Sequence, residues 1–409
     1  MSEQISSKLV TYAVFLFTLG IIGISIISIS FPALIITNTY DYPLEIDPFE
    51  SSPWLAPIII STVILLSIGL LYFKKKLPSV IYNPIEFILN FEISKKVAII
   101  IGLVILFIYI GLSIPELLID ESEQWSDYTI LKTALEIWPS TDSLSVYVTE
   151  QNTRYVRMIL LDFSQEFFQK IKILPFTASV LSVIFTALIA IQISKKRLAG
   201  IIAMIVLLQS VTFTDFDTIA VYENFWVLFY LISIYSINKK WWYASPITFL
   251  LSVFSKAFTA TYFWMNLFFI YRSEIPTKSK LILFGSYGIV ISIMYWIFDS
   301  GRSIIYDDII RYDFDAFLDG FTGWGNSMQL DPLIILCILP LTVGLFIKSL
   351  KGLKQADSIL LLLAGSILAG PLISLITDFY FILPYRFIPF VIFVAIGIGI
   401  IFSKKTNLE

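Results

Sequence analysis

An acidic stretch directly after the third apolar run carries the side chains of this sequence that are best placed to do chemistry. Asp120, Glu121 and Glu123 lie close together in a chain that is 57% hydrophobic and only 14% charged. Residues 115–119 before them are still apolar enough to lie at a membrane surface. A carboxylate held there is partly desolvated and can act as a general base. We therefore expect Asp120 or Glu121 to be a catalytic base.

The absence of histidine narrows the chemistry further. Without His, the chain lacks the most common general base and the imidazole zinc ligand. Its one cysteine, Cys337, lies inside an apolar run, and no second cysteine exists for a disulfide or a thiolate metal site. Acid–base chemistry must therefore come from carboxylates, Lys or Tyr.

A second acidic cluster lies in the stretch TDFDTIAVYENFW, a short turn between two apolar runs. Asp215, Asp217 and Glu223 offer oxygen ligands of the kind that bind a divalent cation, or they could divide acid–base work with the first cluster. An ordinary polar hairpin is the simpler interpretation of the same residues. A divalent cation is thus the one cofactor that the pattern allows, and none is required.

Four cations stand out because they interrupt or border apolar sequence. Lys256 lies inside a long apolar stretch and Arg386 begins the last one, while Arg154 and Arg157 begin an amphipathic segment. A cation at a membrane interface is costly unless it meets an anion, and lipid phosphate is the anion at hand. We expect these cations to contact a lipid phosphate. The alternative is that each side chain snorkels to water.

Long apolar runs recur along the whole chain, so the sequence predicts an all-α, polytopic membrane helix bundle. Crossing about 30 Å of hydrocarbon takes about 20 apolar residues. The first run is too long for a signal peptide and is counted as a span. The two runs around Lys256 could also be one long tilted helix. The twelve predicted spans are 10–30, 54–73, 97–114, 175–194, 198–213, 224–238, 241–254, 257–271, 281–298, 332–347, 358–376 and 387–403.

The charges of the connecting loops predict the orientation. When loops are assigned to the two sides in turn, one side holds 19 of the 28 Lys and Arg and only 6 of the 31 Asp and Glu. Positive loops face the cytoplasm, so both termini are predicted to be cytoplasmic. The long loops 115–174 and 299–331 then lie outside, where we expect the function. Abundant Ile and Lys, and outer loops without glycosylation sequons, favour a prokaryotic plasma membrane.

Three connecting segments show helical spacing of apolar residues and are predicted to lie along the membrane. Residues 84–96 form a short amphipathic cytoplasmic helix in this interpretation. Residues 303–324 form either a lid over an outer cavity or a surface helix. In the third segment, an interfacial helix, the apolar positions are Val156, Ile159, Leu160, Phe163, Phe167 and Ile171.

The order of these features resembles the GT-C superfamily of integral-membrane glycosyltransferases, especially the protein O-mannosyltransferases and aminoarabinose transferases. Asp120-Glu121 directly follow a span and precede Trp125 and Tyr128. The stretch ILPFTASVLSVIFTALIAIQISKKRLAG is similar to the Leu-Pro-led span of that family, FLLSVFSKAFTATYFWM to its Ser/Thr-Lys turn, and YRFIPF to its late Arg-aromatic segment. Residues 97–409 would be the GT-C-like catalytic module, and residues 1–96 an N-terminal extension with two spans and the cytoplasmic helix.

The resemblance implies that a sugar is transferred, with inversion, from a polyprenyl-phosphate-linked donor on the extracytoplasmic face. Asp120 or Glu121 would be the base, and Lys256 and Arg386 would hold the donor phosphate. Fixed cations suit a phosphate leaving group because its charge grows in the transition state. The acceptor would be a lipid, a glycan or a protein, with membrane lipids as further partners and no nucleic acid. The remaining substrate-binding residues would be Arg154, Arg157, Trp125, Tyr128 and Tyr385.

Other functions fit the same sequence. A twelve-span secondary transporter would place polar groups near the middle of its helices and relate its halves by a repeat. Every acid assigned here falls in a loop, and no repeat is visible. A polysaccharide polymerase or ligase would share the lipid-phosphate donor. A non-enzymatic assembly factor would share the topology but would not need cations beside acids.

Overall fold

The computed structural model describes residues 2–36, 47–140, 145, 147–148, 151, 154–299, 312–376 and 383–403. Within these ranges all regular structure is helical, and no strand occurs. Eight of the helices there are long and apolar enough to cross a membrane. The chain is therefore a polytopic helical membrane protein, and this part of the prediction is confirmed.

Sixteen helices of ten or more residues organise the described chain. Short helical turns connect several of them, among them the 3-10 turns Glu121–Glu123, Ala257–Tyr262 and Pro384–Phe387. In chain order the longer helices are α1 Ser2–Ser30, α2 Leu55–Phe73, α3 Ser79–Asn90, α4 Lys95–Ser113, α5 Asp127–Ile137, α6 Tyr155–Phe168, α7 Ile173–Ser194, α8 Arg197–Leu208, α9 Phe225–Ile237, α10 Ala244–Ser255, α11 Phe263–Arg272, α12 Thr277–Asp299, α13 Phe314–Met328, α14 Pro332–Leu350, α15 Gln355–Ile376 and α16 Ile388–Ile401.

Four of the twelve predicted spans form helices that are shorter than a membrane crossing, whereas α16 continues the turn Pro384–Phe387 and together with it reaches 18 residues. Helices α8, α9 and α10 have 12, 13 and 12 residues, and α11 has 10. At about 1.5 Å per residue they reach roughly 15–20 Å, against about 30 Å of hydrocarbon. Length and composition therefore support eight spans among the described residues rather than twelve.

The chain breaks at Lys256, which has an extended backbone with φ −154° and ψ 113° between α10 and the 3-10 turn Ala257–Tyr262. One long tilted helix through this point, the alternative allowed by the sequence, is therefore wrong. An extended residue cannot continue the i to i−4 hydrogen bonds of a helix. The break leaves the lysine between helices rather than in the middle of a span.

The chain divides into two compact units, and each is described by itself. The first unit contains Met1–Ile100, Ile189–Thr212 and Ile310–Glu409. In it, α1 packs against α13, α14 and α15, and α8 packs against α16. The N-terminal residues are therefore grouped with the C-terminal helices, whereas the sequence interpretation set residues 1–96 apart as an extension.

Close helix crossings hold the first unit together. A Cβ on Gly320 of α13 would lie 2.5 Å from Pro371 Cα on α15, and one on Gly399 of α16 would lie 2.5 Å from Ala199 O on α8. No real Cβ tolerates such a distance, so glycine permits these approaches. The described part of segment 303–324 belongs to this core, because Phe321 of α13 is fully buried. Residues 300–311, which held the rest of the predicted lid, lie outside the described residues.

The second unit contains Ile101–Leu188 and Phe213–Ile309. Its centre is the antiparallel pair α9 and α10, and α6, α11 and α12 pack around this pair. A buried polar group lies among these helices: Tyr287 Oη is 2.9 Å from both Ser233 Oγ and Ser245 Oγ, and Asn266 donates to it at 2.9 Å. Such contacts tie four helices together where water is excluded.

A helix, α6, is present where the interfacial helix was predicted, and its position at the membrane surface stays a prediction. Its buried residues Arg157, Met158 and Leu161 face the body of the unit. Phe163 and Phe167, from the predicted apolar stripe, are 50% and 69% exposed on the opposite side. An apolar face that finds no protein partner within the described residues is the pattern of a helix resting on lipid.

Candidate functional site

The turn 215–224 in the second unit is the place where acidic and basic side chains from the long loop 115–174 meet. Glu121 accepts hydrogen bonds from the N–H groups of Ala220 and Val221, at 2.6 Å and 3.1 Å. The Glu121 side chain is only 1% exposed, and Lys172 Nζ lies 3.8 Å from its Oε1. Burial raises the pKa of this carboxyl, and the backbone N–H groups and Lys172 oppose that shift. Glu121 therefore binds the turn from a buried position, with each of its oxygens already accepting a backbone N–H.

Arg157 binds the carbonyl groups of the same two residues, Ala220 and Val221. Its Nη2 donates to Val221 O at 2.7 Å and to Ala220 O at 3.4 Å. The turn is not helical, so its backbone groups need such side-chain partners once they are buried. Glu121 and Arg157 thus hold both edges of Ala220–Val221, and we call this pair of contacts the clasp.

Three cations act on one buried carboxylate beside the clasp. Arg157 Nε lies 2.7 Å from Glu223 Oε2, with both side chains almost completely buried. Burial raises the pKa of Glu223, while Arg157, Lys256 and Arg154 act on it electrostatically in the opposite direction. We call Arg154, Arg157, Lys256 and Glu223 the cationic cluster.

Lys256 and Arg154 are the partly exposed members of the cationic cluster. The Lys256 ammonium lies 5.7 Å from the ring centroid of Trp226, a cation–π distance. Arg154 Nη1 and Arg157 Nη1 both donate to Gln151 Oε1. Helix α6 packs against α10, and this contact brings its N-terminal arginines and the residue after α10 into one unit. The sequence separated these positions by about a hundred residues, and the prediction that they act together depended on the family resemblance.

Asp120 differs from its neighbour Glu121 in every respect that matters to catalysis. Its side chain is exposed, and its Oδ1 accepts the N–H of Ser122 at 2.9 Å at the start of a 3-10 turn. The pKa of Asp120 is lowered, first by this hydrogen bond and then by Lys132 and Lys172. The carboxylate is therefore ionised and open to an acceptor, which favours Asp120 over the buried Glu121. The expected desolvation of Asp120 is not observed, and its lowered pKa makes it a weaker base than a desolvated carboxylate would be.

Aromatic side chains pack beside the clasp. The ring of Trp125 lies 5.0 Å from Tyr222, edge to face, and 5.7 Å from Phe216. Trp125 Nε1 is buried and has no hydrogen-bond partner among the described residues. Tyr128 is buried on α5, with the Lys132 ammonium 5.5 Å from its ring centroid. Tyr128 therefore acts in packing, whereas Trp125 retains an unused donor.

Asp217 is a second buried carboxyl in the turn. Ser113 Oγ donates to its Oδ2 at 3.3 Å, and its Oδ1 has no partner in the described part of the chain. Burial raises the pKa of Asp217 to about 7, and the nearby acids Glu116 and Asp215 add to the shift. A carboxyl in this position takes up a proton near neutral pH.

The predicted metal site is not assembled. Within the described ranges, no three His, Cys, Asp or Glu side chains are arranged to hold a metal ion. Glu223 is ion-paired with Arg157, and Asp217 is buried while Asp215 is exposed. The three acids are close in sequence, but the turn directs them to different surroundings.

Arg386 and Tyr385 belong to the first unit. They lie in the 3-10 turn Pro384–Phe387 before α16, and both are buried. Arg386 Nε donates to Tyr385 Oη at 3.3 Å, with the guanidinium 5.6 Å from the ring centroid of Tyr385. A common phosphate contact of Arg386 and Lys256 stays a prediction.

Sequence reasoning missed Lys172. This lysine is buried, donates to Glu116 O at 2.9 Å and stands beside Glu121. It lies in the stretch KIKIL, directly before span α7, so the rule that selected Lys256, a cation bordered by apolar residues, could have found it. Lys172 ties the start of that span to the acidic stretch.

No protein-family model, curated protein or solved structure matches this chain. The resemblance to the GT-C superfamily therefore depends on the order of short motifs. The function has to be argued from the clasp, the cationic cluster and Asp120.

Proposed function

We propose that this chain is a membrane glycosyltransferase that moves a sugar from a polyprenyl-phosphate-linked donor to an acceptor on the extracytoplasmic face. The observation that carries the proposal is the cationic cluster. Arg154 and Arg157 at the start of α6 and Lys256 after α10 act on a single buried carboxylate, Glu223. Fixed cations next to a predicted membrane surface are suited to a lipid-linked phosphate.

The cluster supports a leaving-group role for the phosphate. As the bond from the sugar to the phosphate breaks, negative charge grows on the phosphate oxygens, and fixed cations stabilise that charge. Arg157 is held by Glu223 and by the carbonyls of the turn, so it cannot swing towards the ligand. Lys256 and Arg154 are partly exposed and would make the contacts, while Arg157 would position the turn.

Asp120 would take the proton of the acceptor. It is exposed and ionised, and it directly precedes Glu121 of the clasp. Its short side chain is oriented by the Ser122 N–H, so one oxygen remains for the acceptor hydroxyl. Phosphate needs no protonation to leave, which fits a site without histidine.

The experiment is transfer of radiolabelled sugar from polyprenyl-phospho-sugars by the purified full chain in vesicles. Asp120→Asn should lower the rate about 10²- to 10⁴-fold at unchanged donor binding. Lys256→Met should weaken donor binding by roughly ten- to a hundredfold. Glu136→Gln is the matched control, since Glu136 is an exposed acid of the same loop. Transfer that is unaffected by both site variants, or equally reduced by the control, rejects the proposal.

The buried polar group around Tyr287 favours a second function, a secondary transporter. Transporters place polar side chains inside their helices, and Ser233, Asn266 and Tyr287 are such residues. Uptake of solutes into vesicles without any lipid-linked donor, abolished by Asn266→Leu and unaffected by Asp120→Asn, would support this function instead.

A further inference from the structure

Helix α3 in the first unit has an exposed apolar face. Val80, Phe87, Ile88 and Phe91 at its surface are 82%, 64%, 44% and 43% exposed. In a helix with 100° per residue, Val80 and Phe87 lie on one stripe with Phe91, and Ile88 borders it. Asn83, Glu86 and Asn90 form a polar side that adjoins the stripe next to Phe87, so the helix is amphipathic.

The orientation of α3 is fixed by polar contacts at its other faces. Tyr72 Oη, at the end of α2, donates to Glu86 Oε2 at 2.6 Å, and the ring of Tyr72 stacks on Tyr82 at 5.4 Å. Lys196 is buried, and its Nζ donates to Ile88 O at 3.0 Å and to Leu89 O at 2.9 Å. A cation at the carbonyl end of a helix completes its free acceptors. The apolar stripe therefore cannot turn inwards.

Membrane lipid is the occupant that the neighbouring elements indicate. Helix α3 lies in the short connection between the spans α2 and α4, so it cannot leave the bilayer surface. Only 6% of the apolar window of α2 and 17% of that of α4 is buried, so both spans present their sides to lipid. The exposed stripe of α3 continues this lipid-facing surface.

Positive charge flanks the stripe at both ends. Lys74, Lys75 and Lys76 follow α2, and Lys95 and Lys96 begin α4, and all five are exposed. The only acids between residues 74 and 96 are Glu86 and Glu92, so five cations face two anions. Each lysine near an anionic lipid surface favours binding by about fivefold.

We propose that α3 and its five flanking lysines form a binding surface for anionic phospholipid. The apolar stripe inserts between acyl chains, and the lysines contact the phosphate headgroups of the same leaflet. This surface is independent of the proposed transferase chemistry, since it lies in the first unit and uses none of the residues of the cationic cluster.

The insertion of the stripe is tested with nitroxide labels on the full chain in vesicles of phosphatidylcholine and phosphatidylglycerol. In a Cys337→Ser background, Ile88→Cys and Asn90→Cys place two labels about 200° apart around the helix, one on the apolar side and one on the polar side. We expect oxygen, which partitions into the bilayer, to relax the label at position 88, and a water-soluble nickel complex to relax the label at 90. Water access at 88, or immobilisation there that persists without lipid and indicates a protein partner, overturns the proposal.

The charge is tested with spin-labelled lipids bound to the same vesicle protein. The wild-type chain should select phosphatidylglycerol over phosphatidylcholine at this surface, and Lys74→Gln/Lys75→Gln/Lys76→Gln should lower that selectivity severalfold. The control is Lys132→Gln/Lys170→Gln, which removes exposed lysines of the second unit. An equal loss per charge in the control, or no loss in the triple variant, shows that this surface does not select anionic lipid.

Discussion

In two regions of this molecule, charged side chains bind backbone groups. The two regions differ in the other charged groups that lie beside these contacts. In the first unit, Lys196 and Arg197 bind the end of α3 and the residues after it, and Arg197 Nη1 lies 3.8 Å from Glu92. In the second unit, Glu121 and Arg157 bind both edges of Ala220–Val221. In the first region the cations bind carbonyls and one partly buried acid. In the second region Arg154 and Lys256 also act on the carboxylate that Arg157 pairs.

The difference separates a structural use of charge from a functional one. A lysine at the end of a helix completes acceptors that would otherwise lack partners. In the second unit, Arg157 also binds carbonyls of the turn, while Arg154 and Lys256 act on the same carboxylate from partly exposed positions that an anion from outside can reach. In the sequence, both groups are basic residues beside apolar runs. The burial of each cation and the groups around it distinguish the two regions.

Removal of Arg157 should have the largest effect on stability. Arg157→Met leaves Glu223 buried without its partner, which typically costs about 3–5 kcal/mol. Lys196→Met removes two hydrogen bonds to carbonyls and should cost less, about 1–3 kcal/mol. Thermal unfolding of both variants in the same detergent compares the two regions directly.

The double variant Arg157→Met/Glu223→Gln checks the cause. If the cost comes from the unpaired carboxylate, neutralising Glu223 should recover part of the lost stability. Equal destabilisation by Arg157→Met and Lys196→Met, without recovery in the double variant, would remove the distinction between the two regions.

Substitution of Glu121 should lower stability more than substitution of Asp120, whereas substitution of Asp120 should lower activity more. Glu121→Gln turns an amide group towards backbone donors and should cost about 1–3 kcal/mol, because one N–H of the turn loses its acceptor. Asp120→Asn keeps an oxygen that can accept the Ser122 N–H at an exposed position, so it should lower stability less than Glu121→Gln. Unfolding curves of both proteins, measured beside the transfer assay, decide the question. Transfer that survives Asp120→Asn and is lost in a fully folded Glu121→Gln protein would assign the base to Glu121.

The sequence predicted the membrane-protein class and most long spans because apolar runs of span length have no other stable setting. The shorter helices α8 to α11 could not be distinguished from spans by composition. Their neighbours in the fold bury them: α9, for example, is buried along nearly all of its length. A single sequence also does not reveal that the N-terminal helix packs against α13, α14 and α15. Contacts between distant helices depend on shape complementarity rather than on a local pattern.

The candidate site was predictable in part. Asp120, Arg154, Arg157 and Lys256 were selected as unusual charges beside apolar sequence, and the second unit contains all of them. The roles could not be derived from that pattern. Glu121 is adjacent to Asp120, and only the position of Ala220 and Val221 makes one a buried clasp and the other an exposed carboxylate. The turn is built by tertiary contacts of high sequence separation, which local patterns do not encode.

Asp217 gives the smallest predicted effect and the most specific one, because it depends on pH. Its folded-state pKa of about 7 lies above the ordinary value of 3.8, so the proton binds more tightly in the folded protein. The contribution of this group to stability is full below the ordinary pKa and is lost as the pH rises towards and through 7. Between pH 6 and pH 8 the wild-type protein should lose about 1 kcal/mol from this group. Asp217→Asn keeps a neutral side chain at every pH, so its unfolding temperature should vary less over this interval. If the unfolding temperatures of the two proteins changed equally with pH, water or a cation would reach Asp217 in the turn. This buried acid would then behave like the exposed ones.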